Sequence, residues 1–206
     1  MSQPAVSVIN TGSYAVEKNI TLTGQPNRSA VSPDGTEFWI AQTDDNIITV
    51  IDLIKQEIKD RIYTINYPIK ILFNHQGDKV YVIAEMSNFV MALDRTSRQI
   101  TNYIPLPGEP ARLALTPPTV NGTTQYLYVT TKYPSYSLAV IDLSNYQMVA
   151  NIPISSPFGV ALTPDGYDAY VSSETDNDVW VAAIKPHVYQ HIVRIDEFMA
   201  EAGLTF

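Results

Sequence analysis

The chain has 206 residues, 45% of them hydrophobic and 17% charged, which is enough apolar content for a buried core. A formal net charge of −8 argues against a nucleic-acid partner, because such binders carry Lys and Arg in excess. The absence of cysteine excludes disulfides, thiolate nucleophiles and zinc–thiolate sites together.

In chain order, Val6–Asn10 and Val16–Thr23 read as two strands without inner partners. From Pro26 onward a unit recurs. Pro26, Pro68, Pro110 and Pro157 stand 42, 42 and 47 residues apart, and Trp39, Tyr81, Tyr128 and Tyr170 follow at 42, 47 and 42. Asp52, Asp94 and Asp142 close the hydrophobic runs ITVID, VMALD and LAVID, while Asn10 closes an earlier VSVIN. Gly35, Gly77 and Gly166 mark matching turns, and the third copy stretches its turn over Thr116–Thr124. The second unit contains Ile69–Phe73, Lys79–Ala84, Phe89–Leu93 and Gln99–Ile104 as strand-like runs. In the fourth, Phe158–Leu162, Ala169–Ser173, Val179–Ala183 and Val188–Ile195 are cut by Pro164-Asp165-Gly166 and Glu174–Asn177 turns. Four short strands in about 42 residues make one blade of a β-propeller. A helical solenoid needs periodic runs of about ten residues or more, and a β-sandwich leaves the common phase of the landmarks unexplained.

The unit resembles the YVTN-type β-propeller repeat. Pro157-Phe158-Gly159-Val160-Ala161-Leu162-Thr163-Pro164-Asp165-Gly166 is similar to its opening P-x-G-V-A-V-S-P-D-G. Tyr128-Val129-Thr130-Thr131 and Tyr170-Val171-Ser172-Ser173 resemble its Y-V-T-N, and Val50-Ile51-Asp52 and Val140-Ile141-Asp142 its V-x-V-I-D. The resemblance implies surface-layer, secreted or periplasmic propellers, with lactonase-like propellers as distant kin. It implies architecture more than activity.

The expected organisation is a single all-β propeller domain over residues 1–206, with roughly 4.5–5 four-stranded blades. Residues 1–25 supply the outer strand pair of an incomplete blade, and blades follow at 26–67, 68–109, 110–156 and 157–196. Residues 197–206 read as a closing strand, with Leu204 and Thr205 in register with Leu162 and Thr163, or as a short helix on the spacing of Ile195, Phe198 and Ala202. An incomplete ring is expected, and open blade edges favour self-association. Met1–Val6 lacks the basic and apolar regions of a signal peptide, so a secreted location requires a leader removed beforehand. No run reaches the ~18 apolar residues of a membrane helix, and no membrane insertion is expected.

Chemistry-bearing motifs are sparse. His75 reads as a solvated turn residue, and His187 and His191 stand too far apart on one strand to share an ion, so no metal is expected. Neither a G-x-S-x-G elbow nor a glycine-rich phosphate loop is present, and no cofactor or catalytic residue is assigned. Trp39 and Trp180 read as packing residues. One pattern stands out. Two residues after each blade-leading proline the copies carry Arg28, Lys70, Arg112 and Gly159. The three cations are expected at one mouth of the central channel, able to focus an anion. The plain alternative is solvated side chains paired to carboxylates such as Glu109, worth almost nothing.

Loops on that rim add Asp44, Asp45, Glu85, Lys132, Tyr133, Tyr136, Glu174 and Asp176. Tyr133, Tyr136, Lys132 and Glu174 are the expected partner-binding surface, with the tyrosines as anchors. A non-catalytic interaction module binding a protein or a small anion is the first functional class. A lactonase-like hydrolase or lyase using the cationic mouth is the second.

Overall fold

The computed structural model describes residues 3–118, 125–185 and 188–194. His187, residues 119–124 of the stretched turn and the tail 197–206 lie outside the described residues. Two compact units make up the chain, Met1–Met86 with Val90–Tyr103, and Ser87–Phe89 with Ile104–Phe206.

The first unit begins with a two-stranded antiparallel sheet, β1 (Ala5–Ile9) and β2 (Val16–Thr21). The next sheet runs in sequence order through β3 (Pro26–Val31), β4 (Glu37–Gln42), β5 (Ile47–Asp52) and β6 (Glu57–Tyr63). It is followed by the sheet β7 (Pro68–Phe73), β8 (Lys79–Ala84), β9 (Phe89–Asp94) and β10 (Ile100–Pro105). The second unit carries the sheet β11 (Pro110–Leu115), β12 (Tyr126–Thr131), β13 (Ser137–Asp142) and β14 (Gln147–Pro153). Its last sheet is β15 (Pro157–Leu162), β16 (Asp168–Ser173), β17 (Val179–Lys185) and β18 (Val188–Arg194). A four-stranded antiparallel sheet recurring about every 42 residues is the blade architecture of a β-propeller, and the chain is all-β in class.

The composition of each strand follows its place in the sheet. Middle strands are near-continuous apolar runs because both faces are covered; Val80, Val82, Val90, Ala92, Val140 and Leu138 are all buried. The fourth strands β6, β10 and β14 are solvated and keep one buried anchor each, Ile62, Ile104 and Ile152. Within each unit the core lies between its own consecutive sheets. In the first unit Trp39 of β4 meets Phe73 of β7 edge-on, with ring centroids 5.4 Å apart. In the second, Tyr128, Leu138, Val140 and Ile152 pack with Ala169, Val171 and Ala182, and Trp180 lies against them.

Turns explain the spacing. Gly35, Gly77 and Gly166 adopt φ near +70°, which only glycine takes without strain. At the same end, in the hairpins joining third to fourth strands, Asp52, Asp94 and Asp142 accept backbone N–H bonds from Ile54, Ser97 and Ser144 at 2.8–2.9 Å. An aspartate therefore closes β5, β9 and β13 because its carboxylate builds the following turn.

Candidate functional site

Every first strand begins on proline, and its register slips immediately afterwards. The irregularity falls between Pro26 and Ser29, Pro68 and Lys70, Pro110 and Arg112, and Pro157 and Val160. A β-bulge lies at or beside Arg28, Lys70, Arg112 and Gly159, and bulges re-aim the side chain they carry. The proline supplies no N–H to the ladder, which makes this end of the strand the natural place to slip. Arg28 is exposed and Lys70 half-buried, both in the first unit; Arg112 is half-buried in the second.

The second unit gathers several residues singled out above. The Arg112 guanidinium carbon stands 3.9 Å from the centroid of the Phe158 ring, and Lys132 Nζ lies 4.9 Å from the same centroid. Two cations thus share one aromatic face system, each contact being worth about 0.5–1 kcal/mol where solvent reaches it. Thr130 fixes the frame, its hydroxyl donating to Phe158 O at 2.7 Å and accepting the Arg112 backbone N–H at 3.1 Å. Arg112 Nη1 also donates to Ala111 O at 2.7 Å. Lys132 Nζ reaches Glu174 at 3.5 Å, a half-exposed pair worth at most about 1 kcal/mol.

The loop carrying Lys132 is held from behind. Its N–H donates to Glu109 O at 2.7 Å, and Glu109 N–H donates to Tyr133 O at 3.2 Å. Gly108 fits against this loop because a Cβ there would stand 2.2 Å from Lys132 O. Tyr133, 74% exposed, and Tyr136 project from the same loop. Arg112 and Lys132 therefore come together on Phe158, with Glu174 resting on Lys132. Sequence reasoning passed over Phe158, which takes the place of Asn27, Ile69 and Ala111 in the other copies.

A second charged cluster occupies the glycine-turn end of the strands in the first unit, and it too escaped sequence reasoning. Glu37 is 3% exposed yet ionic partners surround it. Lys59 Nζ lies 2.8 Å from Oε1, Arg95 Nε 3.0 Å and Arg98 Nη1 3.1 Å from Oε2, and Trp39 Nε1 donates to Oε2 at 3.0 Å. Burial pushes the Glu37 carboxyl up, but the hydrogen bonds from Arg98, Lys59, Trp39 and Arg95 outweigh it and hold the group well below the carboxylate range. Arg95 also grips Asp34 at 2.8 and 3.1 Å, and this bond, with help from Ser32 and Thr36, lowers the Asp34 pKa. Arg95 and Arg98 further stand over Phe73 and Trp39 at 6.0 and 5.1 Å.

Beside this cluster are open grooves of about 410 and 420 Å³. The cations Lys59, Arg95 and Arg98 are matched by Asp34, Glu37 and Asp60, so the cluster pins hairpins together and offers an anion little surplus charge. The signal was present in the repeat. Arg95 replaces the leucine of the other copies, Leu53 and Leu143, directly after the strand-closing aspartate. Among the described residues, no group of three His, Asp or Glu side chains is placed to hold a metal ion.

No protein-family model and no curated protein sequence matches the chain. Solved structures do. Hydrazine synthase of Kuenenia stuttgartiensis superposes with a TM-score of 0.76 at 19% identity, over 92% of this chain and 59% of that one. Dihydro-heme d1 dehydrogenase gives 0.72 at 13%, over 92% and 43%. A putative 6-phosphogluconolactonase from Bacteroides fragilis gives 0.72 at 16%, over 94% and 63%. The chain thus spans about half the length of the structures it matches. Likeness at this identity fixes the fold, a β-propeller, and the unrelated chemistries of these proteins leave the activity to be argued from the site.

Proposed function

We propose that the chain is a non-catalytic propeller module that recognises an anionic group, a carboxylate or phosphate, where the first strands open. One observation carries the reading: Arg112 and Lys132 converge on a single phenyl ring, Phe158, beside a loop presenting Tyr133 and Tyr136. A guanidinium that stacks through its π face still offers its planar N–H edge to a carboxylate or phosphate. An ammonium beside it adds charge, and exposed tyrosines add contact area at small entropic cost. Glu174 is then a built-in competitor, a carboxylate already resting on Lys132. Arg28 and Lys70 are the equivalent positions of the first unit, and the YVTN-type repeat is the sequence class the reading rests on.

Calorimetric titration of the whole chain with succinate and with inorganic phosphate tests this. Arg112→Ala and Lys132→Ala are each expected to weaken binding about tenfold, the loss of one charge-assisted contact. Glu174→Gln is expected to tighten it. Binding untouched by all three substitutions contradicts the assignment.

The similarity to putative 6-phosphogluconolactonases favours one second reading, hydrolysis of a lactone with the cations holding its anionic group. Steady turnover of a sugar-acid lactone, abolished by Arg112→Ala, establishes that reading instead.

A further inference from the structure

We infer that a second recognition surface, on the first unit, docks a basic segment of a partner protein that carries an apolar side chain. At the proline-led end of this unit Tyr63, Ile65, Tyr67 and Met86 are 76%, 46%, 41% and 76% exposed. Their loops are tied into one platform by the backbone. Glu85 N–H donates to Tyr67 O at 3.0 Å, and Asn66 Nδ2 to Met86 O at 3.5 Å. Asn46 Oδ1 accepts the Tyr67 N–H at 2.7 Å while its carbonyl accepts the Thr64 N–H at 2.8 Å. The loops 43–46, 63–67 and 85–86 are therefore held side by side. Soluble proteins scatter exposed apolar residues singly, and several gathered within polar surroundings mark an interaction site.

Two further observations favour a built surface. Tyr67 and Met86 have φ of 43° and 56°, the left-handed region that bulky side chains rarely take. The first copy places Gln25 and Asp44 at these positions, so the repeat itself does not demand large apolar side chains there. Met86 also sits two residues beyond the end of β8, as Tyr133 sits two beyond the end of β12, and both are among the most exposed large side chains of their units. The sign of the partner follows from charge. Asp44, Asp45 and Glu85 are exposed in the same loops, within a chain of net charge −8. The cations at this end, Arg28 and Lys70, belong to the first strands and not to these loops. Complementarity calls for a basic partner with an apolar tip. The surface uses residues apart from those of the anion site and stands or falls separately.

The test is a titration of the full chain, labelled at its methionine methyls, with a short arginine–leucine peptide and with its glutamate–leucine counterpart of equal length. The chain has five methionines, and Met86→Ala identifies the Met86 resonance. That resonance is expected to shift saturably with the basic peptide and to stay unmoved with the acidic one. Tyr67→Ser and Glu85→Gln should each weaken binding about tenfold, as for an interface anchor. Tyr63→Ser, at the exposed end of its strand, gives the same readout should Tyr67→Ser fail to fold. A static Met86 resonance, an equal response to both peptides, or a shift on concentrating the chain alone, which makes a second copy the occupant, overturns the inference.

Discussion

At the scale of single residues, Glu37 is the clearest case of a charge that decides stability. A carboxylate taken out of water is costly, and it is tolerated here because Lys59, Arg95, Arg98 and Trp39 all donate to it. Glu37→Gln leaves two guanidinium groups facing a neutral amide and is expected to cost about 3 kcal/mol, read from the urea midpoint at neutral pH. The same carboxyl sets a pH dependence. Glu37 and Asp34 are depressed below their ordinary values of 4.5 and 3.8, so the folded chain binds fewer protons than the unfolded chain in this range. Their contribution is complete above about pH 5 and drains away as pH falls below those values. Equilibrium unfolding between about pH 6 and 3 should show a steeper fall for the wild-type chain than for Glu37→Gln. Parallel curves contradict the ionic account of this cluster.

At the scale of elements, strands and turns were legible and contacts between strands were not. Alternating β-rich runs, the turn glycine Gly77 and the strand-closing Asp94 place β7–β10 to within about a residue, because each feature acts on its own few neighbours. The first-strand bulges left no such mark. A register slip depends on the partner strand, so Lys70 could be assigned to a strand opening and not to the irregularity that aims it. The Glu37 cluster was hidden for the same reason, since its arginines come from 58 and 61 residues away. Phe158 was read as one letter of a strand, and its role depends on Arg112 and Lys132 reaching across from the preceding sheet. Gly108 gives an element-scale prediction. A Cβ there meets Lys132 O at 2.2 Å and Ser135 O at 2.8 Å, both backbone atoms that cannot swing aside. Gly108→Ala should lower stability by about 2 kcal/mol through forced overpacking. It should also weaken anion binding by displacing the loop that carries Lys132. Thermal unfolding and the succinate titration together check both effects.

For the whole molecule, the repeat makes the fold readable and the function hard to read, and both have one cause. Each blade repeats the same packing solution, so landmarks recur and the propeller emerges from four copies of one pattern. The proposed recognition sites lie where the copies differ, in Phe158, in Gly159 where the other copies carry a cation, and in Met86 and Tyr133 at the loop crests, while Arg95 in place of leucine builds the ionic cluster. The fold is shared by proteins as different as hydrazine synthase and a putative 6-phosphogluconolactonase, which is why those departures, and not the architecture, carry the argument. The most direct test of the anion-binding claim is a phosphate titration of the isotopically labelled chain followed through its backbone amide resonances. The account predicts saturable shifts centred on Arg112, Thr130, Lys132 and Phe158, with Arg95 and Arg98 unmoved because their charges are already matched. Shifts confined to Arg95 and Arg98, or none that saturate at Arg112 and Lys132, contradict it.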